Sequence, residues 1–142
     1  MRLTKMSRSG TRAIFDLAYN YVGLPIQVQE ISNRQEIPLR FLEQIFHRLK
    51  NANIVKGVKG PNGGYLLARD PKKITVRDII KAVKEPMDVV HCVSDKTSCN
   101  RAKHCLTRLV WKEAAKKIDQ FFASVSVDDL CAMGKDMGIK KI

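Results

Sequence analysis

The chain has 142 residues, a length that suits one domain with a small appendage and excludes two large cores. Hydrophobic residues make up 44% and charged residues 28%, a balance that excludes a wholly disordered chain. The net charge of +12 is more than solubility requires and indicates a polyanionic partner, with nucleic acid first and an anionic membrane second. Residues 1–86 carry nine of these twelve charges, so we expect the anion-facing surface in the first part of the chain.

No apolar run approaches the length of a membrane span, and the charged start is unlike a signal peptide. These features predict a cytoplasmic protein without a membrane partner. All four cysteines follow residue 91, which is unlike the dispersed disulfide framework of a small secreted fold. Metal or redox chemistry is the better interpretation of these thiols.

Three helices are predicted at the start of the chain. Helical spacing of apolar residues predicts the first over 9–22, ended by Gly23-Leu24-Pro25, and a short second over 28–36. Pro38 suits the first turn of the third, whose apolar face comprises Leu42, Ile45, Leu49 and Ala52. Two short, closely joined helices predict a helix-turn-helix.

The opposite face of the third helix is polar, which is often only a solvated surface. Here it mixes Arg, which binds guanine, with Gln for adenine and Glu for cytosine. The candidate DNA-binding residues on this helix are Arg40, Glu43, Gln44, His47 and Arg48, with the first four facing bases. Phe41 is expected to be a partly buried anchor instead.

A β-hairpin is predicted next, from two β-prone runs at 54–59 and 65–68 around a Gly-Pro-Asn-Gly-Gly turn. A glycine-rich turn alone has no specific function. Directly after a helix-turn-helix, however, a hairpin forms the wing of a winged helix, and its backbone can approach DNA closely. The candidate DNA-binding residues of the wing are Lys56, Lys59, Asn62 and Gly63.

The remaining chain is predicted to be helical around one loop. Thr75 and Asp78 form a capping box for a helix that Pro86 ends, and residues 87–104 have the character of a loop. A long helix follows, with an apolar stripe of Leu106, Leu109, Val110, Ala114, Ile118, Phe121 and Phe122. The chain has too little left to cover this stripe, so we expect a homodimer. Ser126 and Asp129 could cap a last short helix.

The predicted fold class is therefore mainly α with a small β-hairpin. It divides into a winged helix-turn-helix domain (1–86), a cysteine-bearing loop (87–104), a dimerisation helix with a short C-terminal helix (105–133) and a loose basic tail (134–142).

Cys92, Cys99 and Cys105 lie within fourteen positions of a polar stretch, which is unlike three unrelated core thiols. Their spacing differs from the paired CxxC of structural zinc sites, and soft thiolates in a loop favour an iron–sulfur cluster. Zinc and a thiol redox switch remain alternatives. Cys131 lies apart in an apolar setting and is predicted to be structural. No nucleophile–base pair, phosphate-binding loop or dinucleotide fingerprint is present, so we expect no enzyme.

The motifs together resemble the IscR/NsrR-type winged-helix transcription regulators. The resemblance rests on Leu42-Glu43-Gln44-Ile45, on the wing from Val58 to Ala68, on Ile74-Thr75 with Asp78-Ile79-Ile80, and on Cys105-Leu106-Thr107-Arg108 with Trp111. It implies a bacterial homodimer that binds a partly palindromic operator and senses an iron–sulfur cluster held by Cys92, Cys99 and Cys105. A repressor is the first expectation and an activator the alternative, and iron supply, oxidants and nitric oxide are all candidate signals. A 2Fe–2S cluster is the first expectation and 4Fe–4S the alternative.

The fourth ligand departs from the family pattern. The IscR branch has a histidine three residues after the last cysteine, where this chain has Arg108, whose guanidinium stays protonated and cannot ligate iron. The nitric-oxide-sensing branch uses an N-terminal aspartate, where this chain has Arg8. Each of the two loop histidines adjoins a cysteine, and we expect His104 to be the ligand, with His91 second and a carboxylate or a partner-chain residue also open.

Two further function classes compete with the cluster-sensing regulator. One is a thiol-switch or zinc-stabilised module that acts through protein partners, and the other is a small electron-transfer protein. The second of these explains neither the basic face nor the wing. Iron, acid-labile sulfide and duplex binding in protein purified without oxygen discriminate among the three.

Overall fold

The structure is a computed structural model that describes residues 2–85 and 88–142. Its elements in chain order are α1 (Lys5–Tyr19), α2 (Val28–Gln35), α3 (Leu39–Asn51), β1 (Val55–Val58), β2 (Gly64–Leu67), α4 (Val76–Ala82), α5 (His91–Ser94), α6 (Leu106–Ser124) and α7 (Val127–Asp136). Short 3₁₀ turns lie at Pro71–Lys73 and Lys96–Ser98. The predicted fold class, mainly helical with one small hairpin, is confirmed. Pro86, the predicted end of the fourth helix, lies outside the described residues.

Helix α1 is displaced toward the N-terminus relative to the prediction of 9–22. It starts at Lys5 because the side chain of Thr4 accepts a hydrogen bond from the backbone N–H of Ser7 at 3.1 Å, which satisfies a free amide of the first turn. It ends at Tyr19, so Tyr21 and Val22, predicted to lie on its apolar face, are 50% and 79% exposed.

Helices α2 and α3 form the predicted helix-turn-helix. Glu36 ends α2 in the left-handed region at φ 54°, and this turn redirects the chain into α3 after Pro38. The buried side of α3 comprises Leu42, Ile45, Phe46 and Leu49. Ala52, also expected on this face, is exposed because α3 ends at Asn51 and Ala52 is its C-cap residue.

Strands β1 and β2 pair antiparallel, from Val55 opposite Leu67 to Val58 opposite Gly64. The hairpin is also tied to the segment before α2, since Ile26 N–H donates to the carbonyl of Tyr65 at 2.9 Å and Tyr65 N–H donates back at 2.7 Å. This contact joins the wing to the helix-turn-helix, so that the two elements hold a fixed relation to each other.

The C-terminal helix α7 packs back on the first helix. Both predicted capping boxes are present, at Thr75 with Asp78 and at Ser126 with Asp129. The two helix starts are joined by backbone hydrogen bonds, from Val76 N–H to Val125 O at 2.9 Å and from Val127 N–H to Ile74 O at 2.8 Å.

The predicted loose tail from residue 134 starts later and is held in place. Helix α7 continues to Asp136, and Gly134 is buried against α1. The hydroxyl of Tyr19 then donates to Ile139 O at 2.5 Å, and Ile142 N–H donates to the side chain of Asn20 at 3.0 Å. Close packing of Gly134 against the rings of Phe15 and Tyr19 brings the tail to α1.

Helix α6 packs on α4, where Arg77 Nε lies 2.8 Å from Asp119 Oδ1. Ala114, Ile118 and Phe122, three of the seven residues in the predicted apolar stripe, are partly buried within the single chain. The exposed part of the stripe comprises Leu106, Leu109, Val110 and Phe121. None of the helices in 2–85 and 88–142 is long and apolar enough to cross a membrane.

Candidate nucleic-acid interface and cysteine loop

The polar face of α3 is exposed as predicted. Arg40, Glu43, Gln44 and His47 all lie on the solvent side and line one shallow depression together with Arg48. The opposite side of the helix is anchored by side chains that are completely buried, so the backbone that carries these polar groups is rigid. The arrangement presents donors and acceptors of several kinds on a single convex helix.

Arg48 differs from the other four predicted residues. Its Nη1 donates to the backbone carbonyl of Val83, at the end of α4, and lies 4.0 Å from Glu85 Oε1. The role of Arg48 in DNA binding stays a prediction, and in this structure its guanidinium is engaged within the protein. It links the candidate DNA-binding helix to the segment that leads into the cysteine loop.

The wing holds three of its four predicted residues in solvent, at Lys56, Lys59 and Asn62. Gly63 is buried, and its N–H donates to Gly60 O at 2.9 Å. A Cβ at Gly63 would lie 2.1 Å from the carbonyl oxygen of Val58. Gly63 therefore closes the turn, and only a residue without a side chain fits there. Its contact with DNA stays a prediction.

The three candidate cluster ligands lie in three different segments of the loop. Cys92 is in α5, Cys99 follows the second 3₁₀ turn, and Cys105 is the residue before α6. Within 2–85 and 88–142, no three His, Cys, Asp or Glu side chains are gathered closely enough to hold a metal ion. The ligand set Cys92, Cys99, Cys105 and His104 thus stays a prediction.

The two histidines considered as fourth ligands are both exposed. The backbone N–H of His104 donates to Arg101 O at 2.9 Å, and His91 begins α5, with its carbonyl accepting from Asp95 N–H at 3.0 Å. These bonds involve only the backbone and leave the imidazole rings in solvent.

Two of the thiols have opposite environments. Cys105 Sγ lies 3.2 Å from the Thr107 hydroxyl, and this hydrogen bond, aided by backbone N–H groups at the start of α6, lowers the pKa of the Cys105 thiol. Burial raises the pKa of Cys131, and nearby Asp128 adds to the increase. At neutral pH the loop cysteine is therefore the more reactive nucleophile and the better metal ligand.

The burial of Arg108 is a feature that the sequence did not indicate. Its side chain is only 7% exposed, and its Nε donates to the carbonyl of Cys92 at 3.0 Å. Its Nη2 is buried without a hydrogen-bond partner among the residues that the structure describes. The spacing of one helical turn from Cys105 was visible in the sequence, but a long basic side chain is normally exposed, so no pattern indicated burial.

Sequence comparison matches residues 3–133 to the Rrf2 family, described as an iron-dependent transcriptional regulator. The chain is 39% identical over 130 residues to the HTH-type transcriptional regulator IscR of Xenorhabdus nematophila, a match that covers 92% of this chain and 79% of the relative. It is 37% identical to IscR of Escherichia coli over 92% of this chain and 80% of that protein.

Solved structures give the same picture. IscR of T. potens matches with a TM-score of 0.80 and 27% identity, covering 100% of this chain and 94% of the other. CymR, the global cysteine regulator of B. subtilis, matches with a TM-score of 0.77 and 26% identity, covering 94% of this chain and 98% of the other.

Proposed function

The chain belongs to the Rrf2 family of transcriptional regulators, and we propose that it is a cytoplasmic, homodimeric repressor that binds operator DNA under the control of an iron–sulfur cluster. The observation that carries DNA binding is the exposed polar face of α3 on a fully buried support. Arg40, Glu43 and Gln44 offer the side chains that discriminate guanine, cytosine and adenine in the major groove. Lys56 and Lys59 on the wing supply charge for the phosphates.

Operator selection from random duplexes, followed by binding assays on alanine variants, tests this surface. Arg40→Ala and Gln44→Ala should each cost about 1–3 kcal/mol and relax the sequence preference at one operator position. Lys59→Ala should weaken all duplexes similarly and reduce the salt dependence by about one phosphate contact. Lys135→Ala on α7 is the matched control with the same change of charge and no expected effect. Parent-like binding by all three test variants would place the interface elsewhere.

Dimerisation is supported by the exposed apolar residues of α6. Leu106, Leu109, Val110 and Phe121 are 58–78% exposed in the single chain, and a second copy related by a twofold axis would cover them. Such a dimer would place two α3 helices in successive major grooves, about 34 Å apart. Val110→Asp should give a monomer by light scattering and weaken operator binding greatly. Lys112→Asp, on another side of α6, should remain dimeric, and a dimeric Val110→Asp variant would contradict this interface.

The cysteine loop has donor chemistry that fits an iron–sulfur cluster. Three thiols lie within one loop, the pKa of Cys105 is lowered, and the buried guanidinium of Arg108 provides a positive charge that suits an anionic group. When bound, the cluster would supply a redox-active or nitric-oxide-reactive centre. Because the three cysteines lie in separate segments, binding would require residues 91–105 to rearrange. The contact of Arg48 with Val83 and Glu85 would carry that change toward α3.

Anaerobic purification tests cluster binding directly. Brown protein with equimolar iron and acid-labile sulfide is expected, and Cys92→Ser, Cys99→Ser or Cys105→Ser should each abolish it, whereas Cys131→Ser should not. His104→Ala should shift the visible spectrum if His104 is the fourth ligand, and His91→Ala is the comparison. Operator affinity of loaded and cluster-free protein, measured in parallel, gives the direction of control.

A thiol redox switch is the second candidate function. The lowered pKa of Cys105, which lies among three free thiols of one loop, favours it. Colourless protein without sulfide, whose operator affinity changes on oxidation by a disulfide and is restored by a dithiol, would support the switch and exclude the cluster.

A further inference from the structure

A cleft lies between the C-terminal end of α1 and the open end of the hairpin, and it shares no residue with the polar face of α3 or with the cysteine loop. Its volume is about 230 Å³, which suits a ligand smaller than a typical drug molecule. The apolar part of its lining comprises Leu17, Ala18, Tyr21, Leu66, Leu67 and Pro71. Leu17 is 1% exposed, so this lining is anchored in the core of the winged domain.

The remaining lining residues of this cleft are two cations, Lys56 on β1 and Arg69 just after β2. No carboxylate of the described residues lines the cleft, and none of their ion pairs includes Lys56 or Arg69. Asp70, next to Arg69 in the chain, caps the first 3₁₀ turn, where its Oδ1 accepts from Lys72 N–H at 2.9 Å. Two cations beside one apolar surface create a positive potential that attracts an anion.

We propose that this cleft binds a small organic acid, with its apolar body against Tyr21 and Leu66 and its carboxylate at Lys56 and Arg69. Tyr21 is 50% exposed, and an apolar body would remove part of that aromatic surface from water. A guanidinium binds a carboxylate through two parallel N–H groups, and an ammonium adds a point charge. A neutral ligand would leave both cations without a partner, and an inorganic anion would leave the apolar lining uncovered. The cleft therefore favours a ligand that combines one carboxylate with an apolar body.

Occupancy of the cleft has a consequence for DNA binding through Lys56. This residue lies opposite Leu66 in the hairpin, so it borders the cleft and belongs to the wing. The proposed function assigns Lys56 to a DNA phosphate, and only this step of the inference rests on that function. A carboxylate bound at Lys56 competes with the phosphate. The bound acid should therefore lower operator affinity and reduce its salt dependence by about one phosphate contact.

Binding is tested first on the full chain without DNA, by isothermal titration calorimetry and thermal unfolding. The probes are phenylacetate and hexanoate, which carry a carboxylate on an aromatic or an alkyl body. Acetate has the charge without the body, and phenylacetamide has the ring without the charge, and all four are compared at equal ionic strength. At about ten times its Kd, a bound probe should raise Tm by roughly 3 °C. Acetate and phenylacetamide should leave Tm unchanged.

Variants of the lining then locate the bound acid. Lys56→Gln and Arg69→Gln should each raise the Kd of the bound probe about tenfold, because each removes a charged hydrogen-bond donor. Leu66→Glu should abolish binding, since it places a carboxylate in the cleft. Lys72→Gln makes the same charge change at an exposed residue that does not line the cleft, so it should bind the probe as the parent does.

The outcomes separate this inference from the proposed function. The cleft proposal is overturned if neither probe binds up to about 10 mM, a weak affinity even for a small ligand. Equal stabilisation by acetate, or parent-like binding by both Gln variants, also overturns it, because either result indicates a general effect of anions on a basic protein. Probe binding that the Gln variants weaken supports the cleft even if the chain binds no operator, a result that would overturn the proposed function alone. Operator affinity unchanged at saturating probe would overturn the competition at Lys56.

Discussion

Arg34→Met is expected to destabilise the helix-turn-helix strongly, because it removes the partner of a buried carboxylate. Asp16 on α1 has a side chain that is 1% exposed, and Arg34 on α2 is 15% exposed. Arg34 Nη2 lies 2.6 Å from Asp16 Oδ1, and its Nε lies 3.1 Å from both carboxylate oxygens. Gln35 Nε2 also donates to Asp16, at 3.0 Å. In the variant, Gln35 would be the single remaining side-chain donor to this carboxylate among the described residues.

The expected loss follows from the isolated charge. Removing one partner of a buried ion pair costs about 3–5 kcal/mol, and we expect about 3 kcal/mol here because Gln35 continues to donate and Arg34 borders solvent. For a chain of this size, that loss lowers Tm by roughly 10 °C. Thermal and urea unfolding, monitored by circular dichroism at one protein concentration, measures both quantities. Operator binding should weaken too, since this pair fixes α2 against α1.

The double variant Asp16→Leu/Arg34→Met separates the two possible causes of the loss. If the isolated carboxylate is responsible, removing it as well should recover much of the stability. Glu30→Gln is the control, because Glu30 is 55% exposed and lies 3.7 Å from Arg34, a contact worth well under about 1 kcal/mol. A single variant as stable as Glu30→Gln, or a double variant less stable than Arg34→Met, would refute this reasoning.

The pH dependence of this pair also has an expected sign. The hydrogen bond to Asp16 holds the pKa of Arg34 above its ordinary value, against the opposing effect of burial. The contribution of Arg34 is complete below its unfolded-state pKa and is lost only as pH rises through the raised value. The ionisation of Arg34 should therefore add no pH dependence to stability near neutral pH.

Three further outcomes are expected. Pulse alkylation of cluster-free protein, followed by peptide mass spectrometry, should label Cys105 at lower pH than Cys131. The reason is that the pKa of the Cys105 thiol is lowered and the pKa of the Cys131 thiol is raised. Labelling in the reverse order would contradict both environments. Gly63→Ala should distort the turn of the wing and weaken binding to all duplexes, since its Cβ would lie 2.1 Å from the backbone carbonyl oxygen of Val58. Gly57→Ala in the same hairpin is the control and should be tolerated, because its Cβ would lie 3.7 Å from the nearest atom. Gly134→Val should lower the free energy of unfolding by about 1–3 kcal/mol in urea, because a Cβ at this position would lie 2.9 Å from the ring of Phe15 on α1. An unchanged urea midpoint would show that α7 does not pack on α1 at this position.

Local patterns were sufficient for most elements of the fold. The capping residues at Thr75 and Ser126 and the glycine-rich turn of the wing act over a few residues, so the sequence contains the whole cause. The start of α1 was not predicted. Thr4 can cap a helix, but nothing in the composition of residues 5–8 distinguishes the first turn of a helix from a charged, irregular segment.

The candidate site was predictable only in its residue types. The spacing of polar residues on α3 was sufficient to place Arg40, Glu43, Gln44 and His47 on one exposed face. It could not show that Arg48 bonds to Val83 or that Arg108 bonds to Cys92, because these partners are 35 and 16 residues away along the chain. The sequence likewise presents the three loop cysteines as a group, whereas the folded chain holds them in separate segments.

The sequence by itself determined most of the helices, the polar face of α3, the wing and the thiol-rich stretch, since each depends on periodicity or on neighbours within one or two turns. The start of α1 and the short helix α5, inside a stretch predicted to be a loop, were not predicted. Only the tertiary structure decided which apolar residues of α6 remain exposed, that α7 and the tail return to α1, and that Arg108 is buried. These features depend on the angles at which helices meet and on groups far apart in the chain. The arrangement that forms is the one with the most favourable packing free energy, which is the sum of many small contacts. That sum cannot be read from a local sequence pattern.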